Sequence, residues 1–262
     1  MIINSQGFGH FTDGQNNQDF GIESERMLLI LDGCSSAIYS EVGTRLFAQL
    51  FKRREEWDNV EKFEENVKAT FDSIIEMMKK YYPNQEEMEN LFIMQNLLFT
   101  MIACFQTQKE YIVKLFGDGY IITQNKWGAV SYMKFFYPKP PYFGYKYCEN
   151  HIFKDYQFKT FTFDKTVFPK VAIATDGILP IFTGEVKGLD SYKEELPNKE
   201  PRTWTYSYSA NRLSKAANKP DVKQMDKRLM EGNMAYLEML IKGNKTSFLD
   251  DVTLAMFGGE PK

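Results

Sequence analysis

The hydrophobic period of the chain changes near residue 97, and that change limits the folds open to it. Before it, apolar residues recur at helical spacing. Val42, Leu46 and Leu50 are four apart with Phe47 and Phe51 beside them, and Phe63, Val67, Phe71, Ile74 and Met78 share one face. This predicts a helix after residue 40, a second over 59–81 that Pro83 ends, and a third over 85–96. After the change, residues 97–105, 111–116, 119–124 and 129–136 are β-rich. Turn signals at 106–109, 117–119 and 125–128 separate them, which predicts an antiparallel meander. Helices grouped apart from antiparallel strands indicate an α+β chain rather than a doubly wound sheet. The expected architecture is two antiparallel β-sheets packed as a sandwich flanked by helices, in four layers, αββα.

The rest of the chain fits one domain over residues 1–262. Residues 1–24 read as a short strand and a polar loop. Met27–Leu31 and Val171–Thr175 are continuous apolar runs that predict buried strands, and a last strand is expected near Val252–Phe257. Residues 137–158 are aromatic, Pro-containing and irregular, and read as a flap-like loop. Residues 184–222 read as an insertion, and a helix is expected over 222–242. Thr203-Trp204-Thr205-Tyr206-Ser207-Tyr208 reads as a half-buried strand, with the lining of a substrate cleft as the alternative.

Composition narrows the chemistry. Hydrophobic residues make up 43% and aromatics 15%, enough for a sizeable core, and the net charge of −3 lacks the basic footprint of a nucleic-acid binder. No apolar run approaches a membrane span, so no membrane partner is expected. The start, Met1-Ile2-Ile3-Asn4, turns polar at once, unlike a secretory signal, and Cys34, Cys104 and Cys148 are irregularly spaced. Both point to a cytoplasmic protein with reduced thiols, expected to be a monomer. With only two histidines, His10 and His151, a metal site would be built on oxygen, which favours Mg²⁺ or Mn²⁺.

The candidate ligands are aspartates at predicted strand ends. Asp32-Gly33 closes the Met27 run, Asp176-Gly177 closes the Val171 run, Asp118 sits in the turn after residue 116, and Asp250 precedes the last strand. Asp19 lies in the loop before the Met27 run. A lone Asp-Gly is an ordinary turn. Several carboxylates converging at one rim of a sandwich repel each other, and divalent cations relieve that cost. A pair of such ions can activate water and polarise a phosphoryl oxygen.

The ordered set resembles the metal-dependent Ser/Thr protein phosphatases of the PP2C type. The matching stretches are Asn17-Gln18-Asp19, Leu31-Asp32-Gly33-Cys34-Ser35-Ser36, Ser40-Glu41-Val42-Gly43, Phe116-Gly117-Asp118-Gly119, Ala174-Thr175-Asp176-Gly177-Ile178 and Asp250-Asp251-Val252-Thr253. The block from Gly9-His10 to Cys34 is most similar to a bacterial branch of the family. The resemblance implies two Mn²⁺ or Mg²⁺ ions, with a third possible. Asp32 would bridge the two, the Gly33 carbonyl would bind one, and Asp176 and Asp250 would complete the other. Asp118 would share the third ion with Asp176, and Asp19 would orient water. A metal-bridging hydroxide would attack phosphoserine or phosphothreonine directly, in a protein substrate made by a Ser/Thr kinase. The sequence departs from the family at three places. Gln18 stands where members often carry a Glu ligand. Residues 1–18 hold no Lys or Arg to grip phosphate, which leaves His10, or Arg45, Arg202 or Arg212 from elsewhere. Cys34 replaces a frequent His and reads as a packing residue, and Gly119 replaces a Ser. These departures keep two alternatives open: a catalytically weak or inactive sensor domain, and a phosphatase of small phosphomonoesters.

Overall fold

The computed structural model describes residues 1–81, 86–128, 130–137, 139–148, 151–178, 205–209, 224–225 and 250–257. Strands β1 (Ile2–Ser5), β2 (Phe20–Glu23) and β3 (Met27–Gly33) come first, with a short helix α1 (Phe8–Thr12) between β1 and β2. Helices α2 (Ser40–Phe51), α3 (Phe63–Tyr81) and α4 (Glu86–Asn96) follow. Then come β4 (Phe99–Gln106), β5 (Glu110–Phe116), β6 (Gly119–Gln124), β7 (Val130–Phe136), β8 (Lys159–Asp164) and β9 (Lys170–Ala174). Short strands β10 (Thr205–Ser209) and β11 (Gln224–Met225) precede the last strand, β12 (Val252–Phe257).

The strands make two sheets. One runs β2-β3-β4-β5-β8, antiparallel throughout. The other runs β1-β12-β9-β6-β7-β10, with β11 also on β7. It is antiparallel except where β10 lies parallel to β7. A strand covered on both faces can be apolar at every position, and β3 is such a strand. Leu28 and Ile30 point into the layer between the sheets, with Ile102, Val113, Ile121, Ile173 and Ala255. Met27, Leu29 and Leu31 point the other way, into a layer shared with Phe47, Phe71 and Leu97 from the helical segment. The described helices therefore cover the outer face of the five-stranded sheet. None of them is long and apolar enough to cross a membrane.

Three expectations change on inspection. The segment from 97 to 136 is not one meander: β4 and β5 belong to one sheet, β6 and β7 to the other, and the chain crosses between them at Gly117-Asp118-Gly119. Helix α2 leaves Val42 outside the core, while Leu46 and Leu50 pack at its margin. It buries Ser40, Glu41, Gly43, Thr44, Phe47, Ala48 and Phe51, and Val42 is 49% exposed. The two rings decide this, because Phe47 and Phe51 pack on Phe71, Phe99, Phe63 and Trp57. Of the helix expected over 222–242, Gln224–Met225 is a strand on β7 and the rest lies outside the described residues. Arg202, Arg212 and most of the 184–222 stretch also lie outside them.

The described residues of the irregular stretch 137–158 pack down on the helices. Phe143 and Tyr147, in a 3₁₀ turn over Phe143–Tyr147, lie against Phe71, and Tyr147 donates to Asp72 at 2.8 Å. Phe116 meets Phe143, Tyr156 and Phe158.

Candidate metal centre

Strand registers alone bring five aspartates to one rim of the sandwich. Asp32 ends β3, opposite Thr100. Because β2 runs antiparallel to β3 with Phe20 opposite Leu31, the start of β2 carries Asp19 to the same end. Asp118 sits at the crossing from β5 to β6. Strands β6 and β12 both pair with the end of β9 at Ala174, so Asp118, Asp176 and Asp250 meet there. The crossing needs glycine: Gly119 has φ +127°, and a Cβ there would stand 2.4 Å from Ile102 and 2.8 Å from the Ala174 carbonyl. A Ser at this position would be strained, so Gly119 is required in this backbone and more than tolerated.

Electrostatics report how close these groups are. Burial and the fields of Asp19, Asp176, Asp118 and Asp250 all push the Asp32 carboxyl well above the usual carboxylate range. Burial and then the Asp251 charge raise Asp19, against the pull of the Thr175 hydroxyl, which donates to Asp19 Oδ2 at 2.8 Å. Burial and Asp176 raise Asp118 to about 8. Burial and Asp250 raise Asp176 to about 6. Asp250 is raised by burial, with Asp251 adding to it and His10 opposing. Each carboxylate resists ionising beside the others, which is the condition that divalent cations relieve.

The residues fit hard divalent ions on two further counts. The donors are nearly all oxygen. Gln18 Oε1 and Ser40 Oγ are buried without a hydrogen-bond partner among the described residues. Both side chains border Gly33, where a Cβ would stand 2.8 Å from Ser40 Oγ and 2.9 Å from Gln18 Cβ. A buried polar atom left unpaired costs about 1–3 kcal/mol, and a metal or its water would satisfy it.

The structure also places the residues around this rim. Asp251 is 2% exposed and is the anchor of the N-terminal loop. It accepts the Gly7 N–H at 2.8 Å, the Gln18 N–H at 2.6 Å and His10 Nδ1 at 2.8 Å. A carboxylate following Asp250 just before a strand was the one signal for it. His10 is 8% exposed and held inside, not presented at the surface. Arg45 is exposed and donates to the Asn17 carbonyl at 3.1 Å, which ties it to the loop carrying Gln18 and Asp19. Lys134, on β7, lowers the proton affinity of both Asp118 and Asp176 through its charge. Tyr142 is raised by burial, by contact with the buried Cys34 thiol and by the fields of Asp118 and Asp32, which brings it to the site wall. Neither Lys134 nor Tyr142 lies in a motif.

Comparison with known proteins agrees with this architecture. The family model described as Protein phosphatase 2C matches residues 6–230. No curated protein matches the chain in sequence at a significant level. Among solved structures, the fold resembles PppA, "a key regulatory component of T6SS in Pseudomonas aeruginosa", at 9% identity, covering 98% of this chain and 95% of that one, with TM-score 0.53. It also resembles the Mycobacterium tuberculosis serine/threonine phosphatase PstP/Ppp, at 13% identity, 98% and 96% coverage and TM-score 0.50. The serine/threonine phosphatase Stp1 from Staphylococcus aureus is similar at 10% identity, with 100% and 94% coverage and TM-score 0.50.

Proposed function

The chain belongs to the protein phosphatase 2C family, and from that premise we propose that it is a metal-dependent phosphatase of phosphoserine and phosphothreonine in proteins. What carries the reading is the position of Asp32, whose carboxyl feels the charge of Asp19, Asp118, Asp176 and Asp250 together. Two divalent cations, Mn²⁺ or Mg²⁺, supply charge neutralisation, an activated water and polarisation of the phosphoryl oxygens when bound. Asp32 would bridge them, the Gly33 carbonyl would hold one, and Asp176 and Asp250 would hold the other. Asp118 and Asp176 would share a third ion. The Thr175 hydroxyl fixes Asp19 Oδ2. Asp19, held in this way, would orient a water for attack on phosphorus.

The chain acts on this reading as one domain over residues 1–262, in the cytoplasm, opposite a Ser/Thr kinase. A second reading, a catalytically weak sensor, is favoured by Gln18, a neutral side chain buried where members often supply a carboxylate. One assay separates the two. Purified protein is offered p-nitrophenyl phosphate and a phosphothreonine peptide with Mn²⁺, with and without chelator, beside Asp176→Ala. Turnover that needs Mn²⁺ and is lost in the variant supports the phosphatase. Mn²⁺ binding without turnover supports the sensor, and neither binding nor turnover overturns both.

A further inference from the structure

We propose that His10 is itself a metal ligand, giving Nε2 to the ion that Asp250 holds, and that Asp251 orients the imidazole for that role. The proposal rests on the metal-centre reading and adds to it a nitrogen donor.

The tautomer follows from the partners of Asp251. Both of its oxygens are occupied by donors: Oδ1 by the Gly7 N–H at 2.8 Å, and Oδ2 by the Gln18 N–H at 2.6 Å together with His10 Nδ1 at 2.8 Å. Backbone N–H groups can only donate, so this carboxylate is an acceptor and Nδ1 carries the hydrogen. Nε2 is then the ring nitrogen left for a metal. That atom has no hydrogen-bond partner among the described residues, although His10 is 8% exposed. What it faces is Asp250 Oδ1 at 3.7 Å, beyond hydrogen-bond reach. A divalent cation seated between Nε2 and Asp250 Oδ1 would be bound by both atoms.

The spacing suits a metal. Two donors bound to one ion at about 2.1 Å each lie about 3–3.5 Å apart, and a small side-chain rotation brings 3.7 Å into that range. A ligand from each of His10, Asp250 and Asp251 falls within 4.8 Å of the others. Of the three, Asp251 already takes three hydrogen-bond partners, so it serves as the orienting group of a carboxylate–histidine–metal relay. Ring nitrogen binds borderline transition ions in preference to Mg²⁺. His10 therefore gives the ion held by Asp250 a preference for Mn²⁺, Fe²⁺ or Zn²⁺ over Mg²⁺.

The test is pulsed EPR of the full-length protein titrated with Mn²⁺, read for direct coupling to an imidazole nitrogen. Wild type needs no variant for this reading, so a folding defect cannot mask it. The coupling is expected in wild type and lost in His10→Asn, whose amide keeps the hydrogen bond to Asp251 and lacks Nε2. His10→Asn should also weaken Mn²⁺ by about 10-fold or more while changing Mg²⁺ far less. His10→Gln, which can return an oxygen near the Nε2 position, should recover part of the Mn²⁺ affinity without the nitrogen signal. Mn²⁺ bound by wild type with no nitrogen coupling, or with equal affinity in His10→Asn, overturns the role of His10 and leaves the carboxylate centre standing. No Mn²⁺ binding to wild type overturns both.

Discussion

Replacing Gly177 with Ala should separate the two halves of the site. The turn carrying Asp176 packs on the backbone of Asp250 and Asp251 so closely that a Cβ on Gly177 would lie 1.9 Å from the Asp251 carbonyl oxygen and 2.9 Å from its carbon. Ordinary contact begins at 3.4 Å, so the backbones must part by about 1.5 Å. The obstacle is main chain on both sides, with no flexible side chain to yield. The two strands are also stitched beside this point, by the Thr175 N–H to the Thr253 carbonyl at 3.0 Å and the Thr253 N–H to the Thr175 hydroxyl at 2.9 Å. Overpacking costs about 1–3 kcal/mol, and one weakened hydrogen bond adds about 1 kcal/mol. A total near 3 kcal/mol corresponds to a melting temperature lower by about 6–12 °C for a chain of this size. A misplacement of about 1 Å at the chemistry costs roughly 100-fold in rate. Scanning calorimetry and Mn²⁺-dependent turnover of a phosphothreonine peptide read the two effects on one preparation. A variant that melts with wild type and turns over at the wild-type rate would refute the close approach, and with it the pairing of Asp176 with Asp250.

Three other perturbations follow from the same rim. Asp118 at about 8, Asp176 at about 6, and the raised Asp19 and Asp32 bind protons more tightly folded than unfolded, so the metal-free protein should lose stability as pH rises from about 4 to about 8. Thermal melts in chelator should show that decline, and saturating Mn²⁺ should abolish it; a flat metal-free profile contradicts the clustering. Asp251→Ala strands two backbone N–H groups and His10, a loss of about 3–5 kcal/mol in urea unfolding. Asp250→Ala removes a half-exposed repulsive charge and should leave metal-free stability unchanged or higher while Mn²⁺ affinity falls, and equal destabilisation by the two variants would contradict their separate roles. Lys134→Met removes a positive field from Asp118 and Asp176, so Mn²⁺ occupying a third position should bind more tightly by calorimetry; weaker binding would show that Lys134 has another role there.

The sequence carried the strands and the acidic rim because both depend on local signals. An apolar run closed by Asp-Gly marks a buried strand end, and Asp32 and Asp176 lie where that signal puts them. Helix α3 buries Phe63, Val67, Phe71, Ile74 and Met78, the face its spacing predicts. What local signals could not carry was tertiary choice. Turn residues at 117–119 look the same whether the next strand pairs with its neighbour or crosses to another sheet, yet only the crossing brings Asp118 to the rim. The exposure of Val42 on α2 follows from Phe47 meeting Phe71 and Phe99, contacts distant in sequence. Asp250 and Asp251 are adjacent and chemically alike. The backbone just before β12 turns one toward the carboxylate cluster and the other into the loop of Gly7, His10 and Gln18.

The most direct test of the carboxylate centre is phosphate release from a phosphothreonine peptide by wild type and Asp32→Asn across a range of Mn²⁺. Asn keeps the shape of Asp32 while removing the charge that all four neighbours oppose, so the fold should be retained. The account predicts turnover that rises with Mn²⁺ to saturation in wild type and is lost at every Mn²⁺ concentration in Asp32→Asn. Turnover independent of Mn²⁺, or equal in the two proteins, would contradict it.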